Sequence, residues 1–336
     1  PRAKVTEEVG ITDITIKYSR PDVSGREGKI WGSLVPWGFG SNNLATNKNT
    51  SPWRSGANEN TTITFEHDVK VQGRDIKAGT YGLFFAVWND SAQVIFSNQN
   101  EAWGSFYYDE KYDALRVTAK PVAMDKSQEW LSYEFIEQRE KYCVIAMKWE
   151  KLMIPFRVDV DVDNIVLARL RDQVSGQRGF NAALLLSAAQ WCVNKNINME
   201  EALQWSIRAA GLRNFNAMRN LAVAYEKLNR LPQADSVMKE GLVLANSAQY
   251  VAYGRALITQ KRNDKAMEVM LENQKKNGDV YMVNSGLAFG YSAKGDYKKA
   301  ITAAEKAMAQ APNDAVKKTI EGQIAKLKEG KDINIQ

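Results

Sequence analysis

The sequence predicts two domains, an antiparallel all-β sandwich or open barrel followed by an all-α solenoid of helical hairpins. Three observations carry this. Up to about residue 162, apolar and polar residues alternate in short runs rich in β-branched and aromatic side chains, the pattern of half-buried strands. Beyond about residue 180 the apolar spacing becomes helical, and the only prolines are Pro232 and Pro312, both beside predicted turns. The helical part also repeats on itself every 32–34 residues.

The strand elements come first. Ile11–Tyr18 sets Thr12, Ile14, Ile16 and Tyr18 against Ile11, Asp13, Thr15 and Lys17, and Thr61–His67 sets Ile63 and Phe65 to one side. Similar readings cover 83–88, 93–97, 115–120, 130–136, 142–149 and 153–160. With no helical segment between them, such strands pair antiparallel. Val71–Asp75 reads as a hairpin turn, and Lys77–Thr80 leads tightly into the next strand. Residues 32–60, rich in Gly, Asn, Ser and Pro, read as a long loop of the kind that often carries function.

The domain boundaries fall at 1–162 for the β part, 163–179 for a linker or the start of a first helix, and 180–336 for the repeats. Ala202, Ala234, Ala266 and Ala300 lie 32, 32 and 34 residues apart, each shortly after a turn. Ala222, Gly254 and Ala288 stand twelve residues before the last three of these. Tyr225, Leu257 and Tyr291 follow those small residues by three. Small residues are needed where two helices of a hairpin touch, and stacked hairpins then share one core. The pattern resembles tetratricopeptide (TPR) repeats: three full repeats after a degenerate first one. It departs near the start of each unit, where Met218, Tyr250 and Asn284 replace the favoured tryptophan. Asn313–Glu329 reads as a capping helix, with Asn313 or Asp314 starting it.

The β part carries, in order, Tyr18-Ser19-Arg20-Pro21, Gly25-Arg26, Gly32 to Gly38, Trp53 to Glu59, Ala78 to Phe84, Trp103-Gly104-Ser105 and Asp113 to Val117. In combination these resemble an uncharacterised domain-of-unknown-function family of exported bacterial proteins. The resemblance implies a β-rich fold and a location outside the cytoplasm, periplasmic or outer-membrane-associated, with a signal peptide removed. It implies no activity. Phe39–Ser51 looks like an insertion relative to that family.

Composition narrows the function classes. The net charge of +6 is dispersed, which argues against nucleic acid as a partner, and no apolar run approaches the ~20 residues of a transmembrane helix. Cys143 and Cys192 match no metal spacing and read as buried single thiols. His67 is the only histidine, beside Asp68. Asp159, Asp161 and Asp163 read as three carboxylates on one face of a final strand, but the EF-hand pattern fails at the sixth and twelfth places. No catalytic set, cofactor motif or metal cluster is expected.

The richest segment is Trp53 to Glu59. Arg54, Asn58 and Glu59 combine a bidentate cation, an amide and a carboxylate, a set that suits a sugar or carboxylated ligand and equally suits locking the long loop in place. Arg20 shares this ambiguity. Seven of nine tryptophans precede residue 150, and Trp31, Trp37, Trp53 and Trp103 fall in predicted loops, as stacking platforms or as core cover. The leading expectation is a non-enzymatic binding protein whose repeats hold a protein or peptide. The alternatives are a glycan-binding β domain and a hydrolase using Glu59 with Asp109 or Glu110.

Overall fold

Thr12, Ile14, Ile16 and Tyr18, the residues alternating to one side of the first predicted strand, are all buried in a computed structural model that describes residues 1–41 and 50–335. The chain divides into two units, Pro1–Arg171 and Asp172–Gln336.

The first unit holds β1 (Arg2–Val9), β2 (Thr12–Ser19), β3 (Gly40–Ser41), β4 (Thr50–Ser51), β5 (Thr62–Phe65) and β6 (Val69–Val71). It continues with β7 (Arg74–Ile76), β8 (Gly79–Val87), β9 (Ala92–Ser97), β10 (Asp113–Ala119), β11 (Val122–Arg139) and β12 (Tyr142–Val160). One antiparallel sheet runs β1-β2-β5-β8-β9-β10 and a second β11-β12-β6-β7, with β3 and β4 pairing separately. The inner faces meet in one core: Phe85 and Phe96 of the first sheet approach Phe156 of the second with ring centroids 6.3 and 6.2 Å apart. This is a sandwich without barrel closure.

The turn at Gln72 and Gly73, with φ of +49° and +78°, joins β6 to β7. Positive φ at both central residues matches the twist of the flanking strands. The segment expected as one long loop is partly stitched into the first sheet. Beyond the end of β5, Trp53 pairs with Phe85 in both directions at 2.8 Å, and the Gly38 amide donates to Val87. Residues 42–49 of the insertion-like stretch lie outside the described residues.

Three expectations need correction. Residues 142–149 and 153–160 form one strand, β12. The apolar alternation breaks at Glu150 because the backbone turns left-handed there, φ +51°, opposite extra residues in β11, and the buried Glu150 carboxylate accepts from the Gly28 amide at 2.8 Å. Second, β1 went unread because Arg2, Lys4 and Glu8 occupy its outer face and Glu7 interrupts the inward row of Ala3, Val5 and Val9. Third, Asp159, Asp161 and Asp163 do not share a strand face. Asp159 pairs with Arg157, Asp161 accepts from the Asn164 amide group, and Asp163 lies in the first turn of a helix, paired with Lys141.

That helix, α1 (Val162–Ser175), starts on the β core: Val162 packs against Gly10, and Ile165 and Val166 join the cluster. The second unit then stacks hairpins. They are α2 (Ala182–Lys195) with α3 (Met199–Ala209), α4 (Phe215–Lys227) with α5 (Leu231–Val243), α6 (Ser247–Thr259) with α7 (Asn263–Asn277), and α8 (Tyr281–Ala293) with α9 (Tyr297–Ala309). The capping helix α10 (Asp314–Lys328) follows, and Asn313 accepts from the Val316 amide at its N-terminus.

Ala202, Ala234, Ala266 and Ala300 are fully buried, where side chains that small let the helices approach. Gly254 serves likewise, since a β-carbon there would come within 2.3 Å of Met270 Cε. The missing tryptophans are replaced in kind or in chemistry. Tyr250 is buried in the core, while the buried Asn284 amide donates to Gln310 Oε1 at 2.9 Å and to Asp279. The chain past α10 folds back: Ser292 Oγ donates to Asp332 and accepts from the Ile333 amide, and Asn334 donates to the Phe289 carbonyl. Among the described residues no helix is long and apolar enough to cross a membrane.

Candidate functional site

Arg54 follows directly on the backbone pairing of Trp53 with β8, and the next residues fix the turn that leaves it. Ser55 is buried at φ +56°, and its carbonyl accepts from Tyr133 Oη at 2.9 Å and Thr61 Oγ1 at 3.1 Å. The Ala57 amide donates to Ser19. Arg54 is therefore mounted on an immobilised segment.

The guanidinium lies beside the Phe106 ring, 5.6 Å from its centroid, and against Gly104. Gly104 has φ +60°, and a β-carbon there would stand 2.5 Å from Arg54 Cδ and 2.8 Å from Nη1. No hydrogen bond or ion pair from a described residue reaches the Arg54 guanidinium. Burial accordingly pushes its pKa below the ordinary arginine value, with no partner to offset the desolvation. An arginine stays charged regardless, and among the described residues the Phe106 ring, not an anion, faces that charge.

Arg54 lines a cavity of about 380 Å³ whose other walls include Pro36, Pro52, Trp53, Phe106 and Trp149. The described lining contains two arginines and no acidic side chain. The second arginine, Arg26, is already satisfied by the Val23 carbonyl and by the Asp22 carbonyl and carboxylate, at 2.8–3.1 Å. Among the described residues, the Arg54 charge has no acidic partner.

Behind the cavity, Trp53 stacks on Trp149 at 5.7 Å and 17°, and Trp31 meets both edge-on. Trp149 is fully buried, and neither its indole N–H nor that of Trp31 has an acceptor among the described residues. Trp31 and Trp53 thus cover the core. Trp37 and Trp103 stand out of it, 42% and 53% exposed.

The remaining sequence candidates lie apart. Glu59 pairs with Arg2, accepts from Ser19 Oγ at 3.1 Å, and borders a different cavity, with Lys4 and Lys17. Asn58 is exposed at φ +60°. Arg20 Nε donates to the Leu131 carbonyl at 2.8 Å, holding β11 in place. Asp109 caps a short turn and pairs with Lys111, and Glu110 faces Arg116. His67 Nδ1 lies 3.0 Å from Thr12 Oγ1, while the Asp68 carboxylate is taken by Lys77 and the Ala78 amide. Sequence reasoning missed Gly104, Phe106 and Trp149 as neighbours of Arg54, although Gly104 stands in one of the motifs quoted above.

A roomier cavity of about 710 Å³ lies where β6 and β7 meet the end of β12, but its cations are already paired: Lys70 with Asp75, Lys77 with Asp68, Lys141 with Asp163, Arg157 with Asp159. The Arg54 cavity is distinguished by what it leaves unmatched.

Residues 1–158 match the family described as "Protein of unknown function (DUF2911)". The described lining of the Arg54 cavity lies wholly within that matched segment. No curated protein matches the chain. Solved structures similar to it include a thermophilic TPR protein of Thermus thermophilus, 19% identical, covering 50% of this chain and 90% of that one at a TM-score of 0.35. YrrB, described as a TPR protein with an unusual peptide-binding site, is 14% identical over 50% of this chain and 87% of its own, at 0.31. MamA from Desulfovibrio magneticus is 19% identical over 44% and 93%, at 0.30.

Proposed function

We propose that this is a non-enzymatic binding protein with two recognition surfaces: a DUF2911 domain that takes a small glycan-type ligand in the Arg54 cavity, and helical repeats that hold a protein or peptide. The observation that carries the first part is the Arg54 guanidinium, which among the described residues has no acidic partner and no acidic neighbour in the cavity lining. The hydrolase alternative lacks support there, because glycoside cleavage uses paired carboxylates and the described lining offers none.

The second part rests on the stacked hairpins, since solenoids present extended binding surfaces. Charge supports an acidic partner: residues 172–336 carry 23 Lys and Arg against 16 Asp and Glu, while residues 1–171 carry 22 against 23. The whole positive excess belongs to the repeats. Export, periplasmic or to the outer membrane, is part of this reading and is supported by the family resemblance. Recovery of the protein from the cytoplasmic fraction of its source cells would overturn that part.

A glycan and cell-wall-fragment array probed with the full chain and with Arg54→Ala tests the first surface. Retention by some fragment, lost in Arg54→Ala while circular dichroism is unchanged, is the expected result. Retention of the same fragments by both proteins would remove the cavity from the account.

A further inference from the structure

We infer that the Arg54 cavity is selective for a monoanionic carboxylate borne on a compact ring, of which the acid group of a uronic sugar is the fitting example. This rests on reading the DUF2911 domain as a ligand-binding domain and adds the chemical class of the ligand.

Charge comes first. Two arginines are in the described lining, but Asp22 meets Arg26, so among the described residues one positive charge is left for a ligand. One charge matches a carboxylate. A phosphomonoester, with close to two negative charges at neutral pH, would enter with about one charge unmatched.

Hydrogen bonding gives the same answer. The Arg54 fork lines the cavity as a donor with no acceptor among the described residues. Its complement is a group that only accepts. A planar carboxylate accepts two parallel N–H bonds from a guanidinium fork, and such charge-assisted pairs are roughly twice as strong as neutral ones. Gly104 and Phe106 bear on the Arg54 side chain, which limits its freedom before any ligand arrives.

Shape then sets the body that carries the acid. Leu34, Val35, Pro36, Pro52 and Phe106 give the cavity apolar walls, against which the C–H face of a ring packs. A volume of about 380 Å³ is at the small end for ligand sites, which suits one or two rings and excludes a long chain buried end to end.

Isothermal titration of the full chain with four probes tests this: D-glucuronate, D-glucose, D-glucose 6-phosphate and cyclohexanecarboxylate. Glucuronate is expected to bind at least tenfold more tightly than glucose or glucose 6-phosphate. Arg54→Met and Arg54→Lys should each weaken it at least tenfold, the lysine because it keeps the charge but loses the fork. Should Arg54→Met fail to fold, Arg54→Lys carries the comparison.

Tighter binding of glucose 6-phosphate than of glucuronate would overturn the monoanion inference and leave the glycan reading intact. Equal binding of glucose and glucuronate, insensitive to Arg54, would do the same to the carboxylate. Arg54-dependent binding of cyclohexanecarboxylate alone would uphold the carboxylate and end the glycan reading. Binding of none of the four would remove both.

Discussion

Replacing Gly104 with alanine separates backbone strain from loss of the site. The new β-carbon would stand 2.5 Å from Arg54 Cδ and 2.8 Å from Nη1, where ordinary contacts lie near 3.5–4 Å, so the arginine must move by about 1 Å. The left-handed backbone at φ +60° adds a strain of about 1–2 kcal/mol for any residue with a β-carbon. Gly73→Ala is the matched control, with φ +78° and nothing within 4 Å of the added carbon. Both variants are expected to lose similar stability in urea titrations. Only Gly104→Ala should also weaken an Arg54-dependent ligand, by roughly 10–100-fold, the equivalent of a charge-assisted hydrogen bond worth about 1.5–3 kcal/mol. Equal ligand affinity in the two variants would refute the claim that Gly104 positions Arg54.

Three further outcomes are expected. Trp53→Ala removes the stack on Trp149 and the edge contact with Trp31, and should lower the stability of the β unit by about 3–5 kcal/mol in denaturant titrations followed by tryptophan emission. In the repeats, Ala266→Leu forces a larger side chain into a fully buried helix contact and should cost about 1–3 kcal/mol, read as a lower midpoint of the helical circular dichroism signal. For the C-terminal fold-back, desolvation pulls the Asp332 carboxyl up, but hydrogen bonds from Ser292 and Asn334 outweigh it and hold it below the usual range. A depressed folded value means the contribution is complete above the unfolded carboxylate value of about 4 and is lost as pH falls through the folded one. The protection of the Ile333 amide from hydrogen exchange, relative to its intrinsic rate, should therefore hold at neutral pH and fall only in that acid range.

Much of the fold was legible because its signals are local. Period-two alternation marked the inward faces of β2 and β5, and the recurring small residues marked the helix contacts at Ala202, Ala234, Ala266 and Ala300. What escaped depends on the rest of the molecule. β1 hides its strand character because a sheet edge tolerates Lys4 and Glu8 on its open face. The left-handed Glu150 looks like a chain break until the distant Gly28 amide is seen to satisfy its carboxylate.

The site was legible as a segment and illegible as a geometry. Arg54 and Glu59 are close in sequence, but left-handed residues at Ser55 and Asn58 redirect the chain between them, and the partners of Glu59 come from β1 and β2. Trp31, Trp53 and Trp149 meet only because both sheets and the loop converge. No spacing rule encodes that.

The most direct test of the binding account is a nitrogen-15 spectrum of the indole N–H and arginine Nε–H groups during titration with glucuronate. The account predicts that Arg54 Nε–H and the Trp149 indole shift together along one saturable curve, while the exposed Trp37 and Trp103 stay in place. Shifts confined to Trp37 and Trp103, or saturable shifts that persist in Arg54→Lys, would contradict it.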